Sequence, residues 1–292
     1  MIPVSTVVIT SYNDGKMLDD LVRVVISSDV DRIVLVCGGT GADSEYIKHL
    51  NDPRIIVEIE EERGGKCIAL NRSIKYIEGE YVFLLSGDIE INADIFQRSL
   101  LAFSEKVGAV VPRVVPKRTR GFTGIVGSVF WKLHDVELSY LSRCGFNAHG
   151  GEFLAIRRKF VNELPLVIND DAYLCINARE NGYGVFYDDA LTVRNMIPPT
   201  LIELLIQRIR INFGHLELLR MKMDPAVLTT LIRSDRGKFL SILALFARKY
   251  RRDLVALPFA CALEVFSLII ASRKFRRGFS YLVWPLASRD LH

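Results

Sequence analysis

An aspartate closes the apolar run Leu84-Leu85-Ser86-Gly87-Asp88. An acid in that place lies at the rim of a sheet, where it can hold Mg2+ or Mn2+ against phosphate oxygens, because hard cations take carboxylate and phosphate ligands. The competing role is a cap or turn aspartate. Three further stretches belong with it. Glu62-Arg63-Gly64-Gly65-Lys66 opens a helical pattern, and helix-start N–H groups beside Lys and Arg suit an anionic phosphate. Asn169-Asp170-Asp171 starts a second helical pattern, downstream of Gly150-Gly151-Glu152 and Arg157-Arg158. Gln207 and Arg210, three residues apart, share one face of a third. His134, His149 and His215 share no ligand spacing and read as structural, with His149 set apart because it adjoins Gly150-Gly151.

The elements that must carry these residues alternate. Residues 4–10, 32–37, 54–59, 81–85 and 107–115 are short runs rich in Val and Ile, and they read as strands. Between them, 15–28, 43–50, 65–77 and 93–106 show apolar residues at helical spacing. Such alternation predicts an α/β fold, a mostly parallel central sheet flanked by helices. Ligands of these sheets bind beyond the carboxyl ends of the strands, which is where Asp88 falls. No G-x-G-x-x-G follows the first strand; Thr10-Ser11-Tyr12-Asn13-Asp14 stands there instead, against an NAD-dependent enzyme. Beyond Pro116 the pattern predicts a helical excursion over 120–143, a Gly-containing strand over 146–156, a helix over 171–181, a strand over 184–187 and a long helix over 199–222.

The order of these motifs resembles the family 2 glycosyltransferases, over about residues 3 to 222. The matches are Tyr12-Asn13 after the first strand, Gly65-Lys66-Cys67-Ile68-Ala69-Leu70-Asn71 at a helix start, Ser86-Gly87-Asp88 at the metal motif, Asn169-Asp170-Asp171 at the motif that supplies the base, and Gln207 to Ile211. The resemblance implies the nucleotide-diphospho-sugar transferase fold. It implies an inverting transfer of a hexosyl or N-acetylhexosaminyl group from a nucleotide diphosphate sugar, UDP-linked in most members, to a hydroxyl or phosphate acceptor. It assigns Asp88 to the metal, Mg2+ or Mn2+, and Asp171 to the base, with Asp170 either raising the pKa of Asp171 or capping the helix. Ser11, Tyr12, Asn13, Gly38, Arg63, Lys66, Gly151, Glu152, Gln207 and Arg210 fall to nucleotide and substrate binding. Two departures stand out. Ser86 replaces the first metal aspartate, and Gly38 replaces the acid that pairs with uracil, for which Asp43 is the substitute in reach. Ile211, in place of a tryptophan, argues against a processive polymerase. A nucleotidyltransferase, or a non-catalytic module that binds sugar nucleotides at a membrane, are the rival readings.

Composition bounds the rest. Of 292 residues half are hydrophobic and a quarter charged, with a net charge of +4, enough for a large core without staples. Five scattered cysteines with no CxxC fit a reducing compartment, and residues 1–10 lack the basic start of a signal peptide. The expected division is a catalytic domain over 1–222, with a donor half to about 115 and an acceptor half from 116, then a helical basic and apolar region over 223–292. That last region holds the run 254–272, interrupted by Pro258 and Glu264 and flanked by Arg and Lys. Its length is borderline for a span, and basic clusters beside apolar stretches favour an anionic lipid surface over nucleic acid. The expectation is a protein at the cytoplasmic face of the cell membrane, interfacial or with one span, acting on a glycan or polyprenyl-lipid acceptor. Trp131 and Trp284 read as packing or interfacial anchors.

Overall fold

The computed structural model describes residues 4–39, 42–47, 49–117, 121–146 and 149–283; Trp284 lies outside them. Seven strands form one sheet: β1 (Ser5–Tyr12), β2 (Arg32–Gly38), β3 (Ile55–Glu60), β4 (Tyr81–Ser86), β5 (Val107–Pro116), β6 (Phe153–Arg157) and β7 (Gly184–Asn195). Their order is β3-β2-β1-β4-β6-β5-β7. All pairs are parallel except those of β6, which runs antiparallel between β4 and β5. The expected mostly parallel sheet is present, with β6 as the one inverted strand.

Period-two alternation shows why the inner strands are apolar throughout. Val7, Ile9, Ile33, Leu35, Phe83 and Leu85 point into one core, packed on α1 (Lys16–Ile26) and α4 (Asp94–Leu101). Val8, Val34, Val36, Val82 and Leu84 point into the other, beneath α3 (Lys66–Ser73) and α6 (Asp170–Glu180). A strand covered on both faces has no polar face to show. The edge strand β7 obeys the other rule: it alternates exposed and buried residues, and a three-residue slip against β5 after Asp188 interrupts it. That slip hid most of it from the sequence, where only 184–187 read as strand.

The remaining helices are α2 (Ala42–Ile47), α5 (Gly121–Arg143), α7 (Leu201–Arg220), α8 (Leu228–Ser234), α9 (Arg236–Lys249) and α10 (Leu257–Arg276). α7 begins on a capping box, Thr200 and Glu203 satisfying each other's backbone N–H groups. The C-terminal helices are not appended loosely. Val126, Val129, Leu204, Ile242, Phe246 and Ala260 share a core that joins α5, α7, α9 and α10. Buried Asp135 on α5 accepts hydrogen bonds from Tyr187 Oη at 2.7 Å and Lys249 Nζ at 2.8 Å, and also from Tyr250 Oη. The run 254–272 starts in a short 3-10 turn over Arg251–Val255 and continues in α10, where Glu264 forms a bidentate pair with Arg208 of α7 at 2.7 and 2.8 Å. Asn212 adds a third donor to the same carboxylate. The acid that breaks the apolar run is therefore the residue that docks it. Among the described residues no helix is long and apolar enough to cross a membrane.

Candidate active site

The site is built where β1 and β4 end. Gly87 makes the junction possible: a Cβ there would lie 2.4 Å from an Asp14 carboxylate oxygen and 2.7 Å from Ser11. Its N–H donates to Thr10 O at 2.9 Å, so the turn that presents Asp88 is pinned to the end of β1. A cavity of about 2330 Å³ opens over these strand ends. Ser11, Tyr12, Arg63, Lys66, Asp88, Gly151, Glu152, Asp170, Asp171, Gln207 and Arg210 all line it. Asn13 and Gly38 are not on its wall. They sit behind Tyr12, where the Asn13 N–H donates to Gly38 O at 3.3 Å, and a Cβ on Gly38 would press to 3.0 Å on the Tyr12 ring. Their part is to shape the rim.

Ser11 lines the wall, but its hydroxyl lies 2.6 Å from an Asp14 oxygen and 2.8 Å from an Asp43 oxygen. The other Asp43 oxygen accepts the Gly15 N–H at 2.7 Å. Asp43 thus organises the turn after β1 with both oxygens, and it does not stand in for the acid missing at Gly38. The acid on that edge is Glu60, the first of three consecutive glutamates and one that no motif marks. Glu60 ends β3, is buried, and its Oε1 has no hydrogen-bond partner among the described residues. Burial raises its pKa despite Arg72 and Arg63. The Arg63 guanidinium stacks 4.4 Å above the Tyr12 ring beside it.

Opposite this edge, carboxylates and cations interleave. Ser86, in the position where a first metal aspartate was expected, donates its hydroxyl to Glu152 Oε2 at 2.9 Å, and its N–H bonds Glu152 O at 3.1 Å. The inverted strand β6 thereby returns a second acid to the place where the motif lacks one. Asp88 is pushed up to about 7, first by burial and then by the charge of Glu152, against the pull of Lys66 and Arg210. Two crowded oxygen donors with that deficit fit a divalent cation such as Mg2+ or Mn2+, whose charge relieves the repulsion.

Lys66 Nζ lies 3.3 Å from Asp170 Oδ2. Burial opposes its charge, but Asp170, Glu152 and Asp171 outweigh burial and raise its pKa. Arg210 is lowered by burial, with the same carboxylates and Asp88 pulling the other way. Asp170 and Asp171 are the first two residues of α6, so neither is its N-cap; that position is Asn169. The Asn169 amide instead donates to Ile211 O at 3.0 Å, clamping the start of α6 to α7. Asp171 is raised to about 6 by burial and then by its neighbour Asp170, with Lys66 opposing. Of the two roles open to Asp170, the charge effect is the one the geometry carries.

The profile described as "Glycosyltransferase like family 2" matches residues 3–214. The chain belongs to this family. Curated relatives include the poly-beta-1,6-N-acetyl-D-glucosamine synthase of Staphylococcus aureus, 25% identical over 238 residues, covering 74% of this chain and 55% of that protein. The chain thus spans about half the length of the curated relatives it matches. Among solved structures, a mannosyltransferase from Pyrobaculum calidifontis in complex with GDP-Man and Mn2+ superposes with a TM-score of 0.63 at 19% identity, covering 96% of this chain and 89% of that one. The glucosyl-3-phosphoglycerate synthase of Mycobacterium tuberculosis, in complex with Mg2+ and UDP, gives 0.50 at 18% identity, covering 72% and 77%. The shared architecture is the GT-A nucleotide-sugar transferase fold.

Proposed function

We propose that this protein is an inverting glycosyltransferase that moves a sugar from a nucleoside diphosphate sugar, UDP-linked as in most of the family, to a hydroxyl or phosphate acceptor. The observation that carries the reading is the meeting of Asp88, Glu152, Lys66, Arg210 and the Asp170–Asp171 pair on one cavity wall at the carboxyl ends of parallel strands. An inverting displacement needs a base on the acceptor side and charge neutralisation on the leaving side. Asp171, ionised above a pH of about 6, takes the acceptor proton as the acceptor oxygen attacks the anomeric carbon. The bond to the diphosphate breaks on the opposite face, and its charge falls to Lys66 and Arg210. Asp88 and Glu152 are the residues that would hold Mg2+ or Mn2+, whose chemistry there is Lewis-acid neutralisation of the diphosphate. Tyr12 and Arg63 offer a stacked surface for the base, and Glu60 Oε1, which has Arg72 at 3.8 Å but no hydrogen bond among the described residues, offers an acceptor for its ring N–H.

The test is release of nucleotide from a panel of nucleotide sugars with Mn2+. The wild type is expected to require the cation, and Asp88→Asn to lose about 10²–10³ in rate, the scale of removing one electrostatic stabiliser of the leaving charge. Equal release by the wild type, Asp88→Asn and Asp171→Asn would sink the assignment. Glu60→Gln, in the same assay, is expected to raise the donor KM with kcat preserved.

The catalytic unit in this reading is 1–222, with 223–292 as the region whose described helices meet the membrane at its cytoplasmic face, where a glycan on a polyprenyl lipid is the acceptor class. Exposed Val255, Phe259, Val265, Phe266 and Ile269 lie along and beside α10, with Arg251, Arg252, Arg273 and Arg276 near its ends. That combination suits an anionic interface. Flotation with anionic vesicles is expected to carry the protein, and neutral vesicles to carry less. Failure to float with either overturns the membrane half of the proposal and leaves the catalytic half standing.

A further inference from the structure

One wall of the cavity carries nitrogen ligands that the transfer chemistry does not use. His134 and Glu137, three residues apart, project from the same side of α5. His149 comes from the loop that leads to Gly150, Gly151 and Glu152. One ligand-type atom from each of the three lies within 4.8 Å of the other two. The two imidazole rings stand 4.8 Å apart, tilted by 53°. His149 is 6% exposed, and the Nε2 atoms of both histidines are buried with no hydrogen-bond partner among the described residues. The Gly150 backbone lies within reach of His134, and an imidazole that donates to it through Nδ1–H keeps its lone pair on Nε2. This is how metal-ligating histidines are held. Glu137 is buried too; its Oε1 accepts the Leu228 N–H, and its second oxygen remains for a ligand. Buried imidazoles left unsatisfied cost free energy unless something fills the gap between them.

We infer that His134, Glu137 and His149 bind one Zn2+ ion, at a site separate from the Asp88–Glu152 oxygens. Two neutral imidazoles and one carboxylate are the ligand set of three-ligand zinc sites, with a fourth position left for water or a substrate group. That position faces the cavity, whose wall all three residues form. Bonds of about 2.1 Å put tetrahedral ligands about 3.4 Å apart, which small side-chain rotations from the observed spacing supply. Around the cluster stand Arg208, already paired with Glu264, and His215, whose Nδ1 is likewise unpartnered. The ion ties α5 to the 149–152 loop. A Cβ placed on Gly150 would be 3.3 Å from the Asp171 Cβ, so that loop runs directly beside Asp171 and ends on Glu152. Zinc would therefore order the segment between the acceptor-side acid and the donor-side acid.

The test reads metal and needs no glycosyl transfer, so it fails or succeeds independently of the proposed function. Untagged protein, expressed with added zinc and desalted without chelator, is expected to retain about one zinc per chain, as a single three-ligand site predicts. Asp88→Asn should retain the same amount. His149→Gln and Glu137→Gln should lose it, with unchanged circular dichroism. Co2+ added to the stripped wild type should give the intense visible bands of a four-coordinate ion, and Zn2+ should bleach them. Zinc content unchanged in folded His149→Gln overturns the site. So does a stripped, folded wild type that shows no such cobalt spectrum, whatever the stability of the variants.

Discussion

Asp171→Asn is expected to lower kcat by about 10²–10⁴, the contribution of a positioned general base, with the donor KM little changed. The amide keeps the shape of the side chain and its place in the first turn of α6, but it cannot accept the acceptor's proton. The pH profile separates this from a folding defect. Because the folded pKa of Asp171 lies at about 6, kcat/KM of the wild type should rise with pH through about 6 and level above it. The variant's residual activity should lack that limb. Asp170→Asn supplies the sign check. Removing the neighbouring negative charge lowers the pKa of Asp171, so the limb should move to lower pH while the plateau survives in part. Steady-state rates across pH for the three proteins decide it. A limb that stays in Asp171→Asn assigns the base elsewhere.

Arg208→Met should destabilise the protein by about 3–5 kcal/mol, because it strands the carboxylate of Glu264 in a mostly buried position. In the native protein burial works against that charge, but Arg208 outweighs it and Asn212 assists, so the Glu264 pKa falls below the ordinary value of 4.5. A depressed carboxylate pKa contributes stability above the unfolded value and loses it as pH falls, so the wild-type advantage over Arg208→Met should shrink below pH 4.5. The double variant Arg208→Met/Glu264→Leu should recover much of the loss, since an apolar pair of similar volume avoids the desolvation cost of two ions. Thermal melts at neutral and acid pH measure both effects. A loss confined to a few tenths of a kcal/mol would mean that the α7–α10 contact is held by its apolar residues alone.

Most of the sheet was legible because each inner strand is a short run rich in Val and Ile bounded by polar turns, and such a length and β-branched content favour a doubly covered strand over a buried helix. β7 was legible only over its first residues, since its later part is an interrupted edge strand. The 146–156 segment reads as one strand, yet among the described residues only 153–157 pairs, and 149–152 line the cavity. Of the proposed site, Asp88, Lys66, Asp170 and Asp171 follow a strand or open a helix, so position made them candidates, while their roles came from the resemblance in motif order. Glu60 could not be found this way, because a glutamate in Glu60-Glu61-Glu62 carries no mark of burial. Nor could the nearness of His149 to His134 and Glu137, because His149 lies off the helix that carries the other two.

The sequence by itself determined the α/β class, the order of its elements and the strand ends at which chemistry had to lie. Those follow from local periodicity and from where charged residues interrupt apolar runs. Only the tertiary structure decided which of them face one another. It brought Glu152 onto Ser86 and near Asp88, turned Asp43 inward to hold a loop, and paired Glu264 of α10 with Arg208 of α7. Such pairings join residues far apart in the chain, and their energies depend on burial and distance, neither of which a linear pattern contains.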